Sequence, residues 1–355
     1  MSLRELLQAI TPGRKDLRNL TRQEAYRAFD AILSRSEPDA TVAAFLVALR
    51  AKGVTVDELG GFASSARDHA TLSCEDMPGL VCVCQPIAGC TESPPLDVAA
   101  GLIAAGAGAR VLLHTDRNVP PLRGITAASV LEFLGASMTW DPKEAEDWVA
   151  KARFAALAVS GMLPSLMGLR SVRDGVVMRT ALSTVEKLIA PPNAAVLVGA
   201  QAGPVLGVAV EVMQSLGHSR ACAIQGIEGG VIPSVRRRTR GIEISGEHLV
   251  SLVVEPEDFG LSHSGEPELP LFSPALDEQG AGDNPLLVKA AGELNALVLA
   301  GEPGPARNAA LLGAALILKA AGRCLTLAEG VDAAVASLDS GEASAVLNRL
   351  KELQS

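Results

Sequence analysis

Apolar positions change their spacing near residue 80. Before it, they recur every three to four residues, as on helices buried along one face. Thr21-Arg-Gln-Glu24 reads as a capping box, in which hydroxyl and carboxylate satisfy backbone N–H groups reciprocally. Ala25, Ala28, Phe29, Ile32 and Leu33 then share a helical face. Asp39 is expected to cap a second helix running through Lys52, with Gly53 as its stop. Thr55-Val-Asp-Glu58 opens a third helix toward His69. The first seventy or so residues thus predict a small helical module with short connections.

From Leu80 the pattern becomes short apolar runs alternating with helical stretches. Strands are predicted at Leu80–Cys84, Arg110–His114, Ser137–Trp140, Phe154–Ser160, Ala194–Val198 and Ala221–Gln225. Helices are predicted at Leu96–Ala107, Thr126–Leu134, Pro142–Arg153 (behind an Asp141 cap) and Pro204–Leu216. Continuously apolar strands alternating with helices imply a largely parallel sheet covered on both faces. Ile242–Ile244 and Leu249–Val254 suggest further strands, for which antiparallel pairing is open. Glu255–Asn284 reads as a long surface loop, and four helices follow: Pro285–Leu299, Ala306–Ala321, Leu327–Leu338 and Glu342–Leu353. The fold class is therefore α/β: a small N-terminal helical domain over 1–72 and a large α/β domain over 73–355. Part of 163–190 is expected to pack on the helical domain.

Ligands on such sheets sit beyond the carboxyl ends of the strands. That directs attention to the loops Gln85–Cys90, Thr115–Arg123, Gly161–Met178 and Gly226–Arg240. Composition agrees with α/β or all-α packing: 355 residues, 48% hydrophobic, only 3% aromatic. No apolar stretch reaches membrane-spanning length and the N-terminus lacks a signal-peptide core, so a cytoplasmic protein without membrane association is expected. The six cysteines fit no common zinc spacing. They read as small buried or loop residues in a reducing compartment, with a redox or metal role for Cys84 and Cys90 as the other reading. A net charge of -9 argues against general nucleic-acid binding, yet Arg236, Arg237, Arg238 and Arg240 are packed into five positions. Such a run suits either a solvated face or a patch contacting a phosphate backbone, with little sequence preference because no aromatics stand nearby.

Several segments resemble the anthranilate phosphoribosyltransferase family. They are Phe45–Gly53, Glu58–Phe62, Glu255–Leu261, Ala300–Asn308 and Ser340–Ala343 followed by Leu347 and Leu350. The resemblance spans nearly the whole chain and implies that family's fold. It also implies a phosphoribosyl pyrophosphate site, from which this chain departs motif by motif. The family's glycine-rich phosphate loop is here Gln85-Pro86-Ile87-Ala88-Gly89-Cys90, keeping only Gly89. Its Lys-His-Gly-Asn-Arg element is Leu113-His114-Thr115-Asp116-Arg117, keeping His114 and Arg117. Its serine-rich segment is Val119–Gly124, which contains Arg123, and its magnesium-holding Asp-Glu pair is replaced by Val231 and Ile232. Glycine loops admit pyrophosphate because no Cβ intervenes. Pro86 removes a donor and Ile87 adds bulk.

Arg179–Pro191 and Gly226–Gly229 look like the divergent second TrpD-like group, which lacks the usual phosphate loops and some of whose members are implicated in nucleic-acid binding. The expected ligand or phosphate side comprises Gly89, His114, Arg117, Arg123, Arg179, Lys187 and Glu228, the last favoured in a structural or hydrogen-bonding role. No catalytic residue and no metal ligand is assigned. The leading expectation is a protein with degenerate phosphoribosyl pyrophosphate and magnesium motifs that binds phosphorylated ligands or nucleic acid. One alternative is an active pentosyl- or phosphoribosyltransferase with another acceptor, the only case in which magnesium and phosphoribosyl pyrophosphate are expected. Another is a structural dimer acting through protein partners. A homodimer through the helical domain is expected in any case.

Overall fold

A computed structural model describes residues 2–13, 17–201, 205–270 and 280–355. The N-terminal module comprises α1 (Leu3–Ile10), α2 (Arg22–Leu33), α3 (Asp39–Lys52) and α4 (Val56–His69). Both expected capping boxes form: Thr21 with Glu24, and Thr55 with Glu58. Phe29, Phe45 and Phe62 meet at the module's centre, with ring centroids 5.4 and 6.3 Å apart. Asp39 does not cap α3; Pro38 occupies that place and Asp39 lies inside the first turn. Its carboxylate is drawn instead to Arg35 at 2.7 Å and to the Ser171 hydroxyl at 3.1 Å.

The α/β domain is built on seven strands in the order β3-β2-β1-β4-β5-β6-β7. β1 (Leu80–Cys84), β2 (Arg110–Thr115), β3 (Phe154–Ala158), β4 (Ala195–Gly199) and β5 (Ala221–Ile224) run parallel. β6 (Thr239–Ser245) and β7 (His248–Val254) add an antiparallel edge. The parallel strands are buried along nearly their whole length, which is why they read as continuous apolar runs. The expected strand at Ser137–Trp140 is absent from the sheet. Only Thr139 bridges to Leu157, and the chain then enters α7 (Pro142–Ala152) behind its Asp141 cap, leaving no room for a ladder.

The crossover helices are α5 (Asp97–Gly106) and α6 (Ala127–Phe133), followed by the short α8 (Val159–Met162), α9 (Ser165–Gly168), α10 (Arg170–Val176) and α11 (Leu182–Val185), and by α12 (Val205–Ser215). α10 packs on α3, and both α11 and α12 pack on α4, so the module rests on the crossover between β3 and β4 and on the helix between β4 and β5. Four helices close the chain: α13 (Pro285–Leu299), α14 (Pro305–Ala320), α15 (Leu327–Asp339) and α16 (Glu342–Gln354). Pro204, the expected start of α12, and residues 271–279 of the expected loop lie outside the described residues. No helix among the described residues is long and apolar enough to cross a membrane.

Candidate functional site

Strand order reverses between β1 and β4, the point at which ligand crevices open in sheets of this kind. A cavity of about 420 Å³ lies there, between the loop after β1 and the helical module. Pro86, Ile87 and Ala88 form one wall, Gln201 after β4 another, and Arg50 from α3 the side nearest the module. The crossover supplies Arg179 and Lys187. The Lys187 ammonium donates to the Gly199 carbonyl at 2.6 Å. Burial pulls its pKa down to about 8, with Glu186 and Cys84 opposing the shift and Arg179 adding to it. Arg50 donates to the Arg179 carbonyl, tying the module to the cavity rim. The sequence reading paired Arg179 with Lys187 and missed Arg50, whose position at the end of α3 resembles any solvated C-terminal cation.

Behind this wall lies a buried ion pair that the sequence reading also missed. Arg173 meets Glu186 at 2.5 and 3.1 Å, with both side chains at most 5% exposed, and Arg173 Nε donates to Pro120 O at 3.0 Å. A charged Glu186-Lys187 doublet inside an apolar stretch was the available signal.

The segment where the family pattern would seat pyrophosphate is closed. Below the Gln85–Cys90 loop there is space of only about 10 Å³, bordered by Gln85, Gly89, Asp97, His114, Thr115 and Thr126 among others. Gly89 has φ +82, and a Cβ there would strike the backbone of Gly124 and Ile125. Its conformational freedom thus serves close packing of two loops rather than the approach of a ligand. The amides of Gly89 and Cys90 are consumed by Pro86 O and Ile125 O at 2.9 and 2.8 Å. Gln85 bridges inward, its carbonyl accepting from Val231 N at 2.8 Å.

His114, expected at the ligand face, is fully buried. Its Nδ1 lies 3.3 Å from Cys84 Sγ and its Nε2 has no partner among the described residues. Burial holds its pKa down to about 4, so it is a neutral core histidine at neutral pH. Arg117 is turned to Glu132, and Arg123 to Asp174 at 2.6 Å, so these three residues do not converge on an open site. Asp116 takes the cation that sequence reasoning did not foresee, Arg170 at 2.8 Å, and also accepts from Ser160 N at 3.0 Å.

Magnesium prefers several oxygen ligands in octahedral array. At the position of the expected acid pair, Val231 and Ile232 are buried in apolar packing. No cluster of three or more His, Cys, Asp or Glu suited to a metal occurs among the described residues. Val231 and Ile232 offer no side-chain oxygen to that ion.

The arginine run sits at the same edge of the sheet, with Arg236–Arg238 in the turn between β5 and β6 and Arg240 at the start of β6. Val235 and Thr239 are buried, while Arg236, Arg237, Arg238 and Arg240 are exposed. The turn is organised by Ser234, whose hydroxyl accepts from Arg236 N and Arg237 N at 3.1 and 3.0 Å and donates to Glu266. Arg238 pairs with Glu255 at 2.8 Å. Arg236, Arg237 and Arg240 form no ion pair among the described residues. Arg237 and Arg238 border a second cavity of about 270 Å³, together with Ser93, Glu228, Glu266 and Glu268.

Residues 4–70 match the helical bundle domain of a glycosyl transferase family, and residues 96–344 match its a/b domain. The chain belongs to this family. It is 30% identical over 351 residues to an anthranilate phosphoribosyltransferase of Symbiobacterium thermophilum, covering 99% of this chain and 97% of that one. A Bacillus mycoides protein of the same name is 29% identical over 333 residues, covering 94% and 93%. The crystal structure of anthranilate phosphoribosyltransferase (TrpD) from Thermus thermophilus superposes with a TM-score of 0.79 at 25% identity, covering 98% and 99%. The family assignment and the two-part fold therefore agree with the resemblance read from the sequence.

Proposed function

We propose that this protein uses the phosphoribosyltransferase fold to bind phosphate-bearing polymers, nucleic acid above all, and does not transfer phosphoribose to anthranilate. The closed space below Gln85–Cys90 carries the negative half of this reading, because about 10 Å³ holds at most a single water. The missing oxygen ligands at Val231 and Ile232 point the same way. The positive half rests on four exposed guanidinium groups at the carboxyl edge, only one of them ion-paired among the described residues. Guanidinium forks match phosphate oxygens, and a run of them repels itself unless anions lie close.

Two assays test the halves separately. Purified protein given phosphoribosyl pyrophosphate, magnesium and anthranilate should yield no phosphoribosyl anthranilate above background; turnover that vanishes on changing Arg179 or Lys187 refutes the first half. Single- or double-stranded nucleic acid should bind with little sequence preference, each neutralised phosphate contributing about -0.7 to -0.9 to the slope of log affinity against log salt. Changing all four arginines to Ala should weaken binding and flatten that slope; equal binding by the quadruple variant refutes the second half.

One observation favours a second reading. The 420 Å³ cavity brings Arg50, Arg179 and Lys187 together, a cationic rim suited to a small phosphorylated ligand or to transfer onto another acceptor. Turnover with such an acceptor, lost in Lys187→Met, would establish it.

A further inference from the structure

Three successive backbone N–H groups converge on one side chain. Glu228 Oε2 accepts from Thr91 N at 3.0 Å, and Oε1 accepts from Glu92 N at 3.0 Å and Ser93 N at 2.6 Å. The Ser93 hydroxyl adds a fourth donor at 2.6 Å and the Thr91 hydroxyl a longer one at 3.4 Å. All five donors are uncharged, and Glu228 forms no ion pair among the described residues. Consecutive amides aimed at one point make a concave seat for an anion. Here the protein itself supplies the anion, across 137 positions of sequence.

The loop that delivers Glu228 is built for the purpose. Glu228 sits at φ +50, in the left-handed region that non-glycine residues rarely occupy. Gln201 Nε2 holds its carbonyl at 3.1 Å; Gly226 lets the backbone of Gly230 and Ile232 close in, and Gly229 and Gly230 admit the Gln201 and Gln85 side chains. The seat opens on the 270 Å³ cavity that Arg237 and Arg238 also border. The remaining charged groups of that cavity are Glu92, Glu266 and Glu268, and Glu266 is engaged with Ser234 and Val235.

We propose that Glu228 is an internal plug for a phosphate site. Its carboxylate fills the Thr91–Ser93 seat, and a phosphate or pyrophosphate group gains those donors only by displacing it toward the arginines. A ligand that binds only the open form has its affinity reduced by the fraction of molecules that are open. The plug thus makes the seat selective for groups that reward displacement with more than one oxygen and with contacts to Arg237 and Arg238. This goes beyond the nucleic-acid reading and does not depend on it: that test reads a polymer on the exposed arginines, and the one below reads a small anion on a seat of amides.

The experiment is calorimetric titration of sodium pyrophosphate into the full chain, as wild type, Glu228→Gln and Glu228→Ala, with circular dichroism melts to show that each variant is folded. The Gln variant keeps the shape of the plug and removes its charge; the Ala variant removes the plug. Either folded variant should bind pyrophosphate at least tenfold more tightly than wild type. Folded variants that bind no more tightly overturn the proposal. A readout on wild type guards against variants that do not fold: the backbone amide resonances of Thr91, Glu92 and Ser93 should shift together at high pyrophosphate. Shifts confined to the Arg236–Arg240 turn, with residues 91–93 unmoved, overturn it equally.

Discussion

Asp97 and His114 border the same closed space and respond to pH in opposite senses. Burial raises the Asp97 carboxyl from its ordinary 3.8 to about 6, although its own and the Val98 amide and the Gln85 side chain offset part of the shift. Burial lowers His114 from 6.5 to about 4. An acid with a raised folded pKa adds stability below its unfolded value, and loses it as pH rises through the folded one. Asp97 therefore costs about 3 kcal/mol at neutral pH relative to pH below 4. A histidine with a lowered folded pKa is neutral at no cost above 6.5, and destabilises as pH falls from 6.5 toward 4. His218, held near 4 chiefly by burial while its ring nitrogen faces Ala194 O, adds to that acid limb. Asp97→Asn should raise unfolding free energy at pH 8 by about 2–3 kcal/mol, with the gain shrinking to nothing as pH falls from 6 to 4. Urea unfolding across that range checks it, and a gain independent of pH would show that Asp97 is not the titrating group. His114→Gln should flatten the acid limb without removing it, since His218 remains.

At the scale of the element, one capping residue does two jobs. Glu58 was legible as the partner of Thr55 in the α4 capping box, and the structure also buries it completely. Its carboxylate accepts from Thr55 N at 2.9 Å, from Leu20 N at 2.8 Å and from Lys52 Nζ at 2.9 Å. One side chain thus joins the start of α4, the end of α3 and the approach to α2. Removing one member of a buried ion pair leaves the other charge stranded. Glu58→Gln is predicted to destabilise the protein by about 3 kcal/mol, and pairing it with Lys52→Met to recover a good part of that loss. Additive losses in the double variant, read by thermal or urea unfolding, would mean that the pair does not couple.

For the whole molecule, the outer face of α3 is the informative surface. Ala40, Ala44, Val47 and Ala51 are exposed at helical spacing with no charge among them. A module of this size is marginal alone, and its inner side already rests on the crossover helices α10 and α11. We propose that a second copy covers the outer face about a twofold axis. Sedimentation at micromolar concentration should find a dimer, and Val47→Arg should shift it toward monomer; a monomeric wild type refutes the interface. Dimerisation doubles the arginine turn, so the monomeric variant should also show about half the salt slope for nucleic acid.

Local pattern was enough for the capping boxes, the five buried parallel strands and the glycine stop after α3. Each of these depends on neighbours within a few residues or on burial of a continuous apolar run. The same logic failed at Ser137–Trp140, where apolar residues precede a helix too closely to join the ladder, and at Asp39, whose carboxylate answers to Arg35 and Ser171. The candidate site was legible only as a set of strand-end loops. Which residues share a cavity was decided by contacts between distant segments. Arg50 reaches the carbonyl of Arg179 across 129 positions, Gln85 bonds Val231 across 146, and Glu228 plugs amides 137 positions away. His114, Arg117 and Arg123 stood close in sequence and were dispersed, because strand-end burial, Glu132 and Asp174 each claimed one of them. The sequence by itself determined most of the elements and the fold class, since capping residues and apolar period are local properties, whereas strand order and the antiparallel edge came from ladders between distant segments such as Val81 and Ala195. Only the tertiary structure decided which charges were left free for a ligand, because a side chain's partner is set by what folding brings within about 3 Å of it.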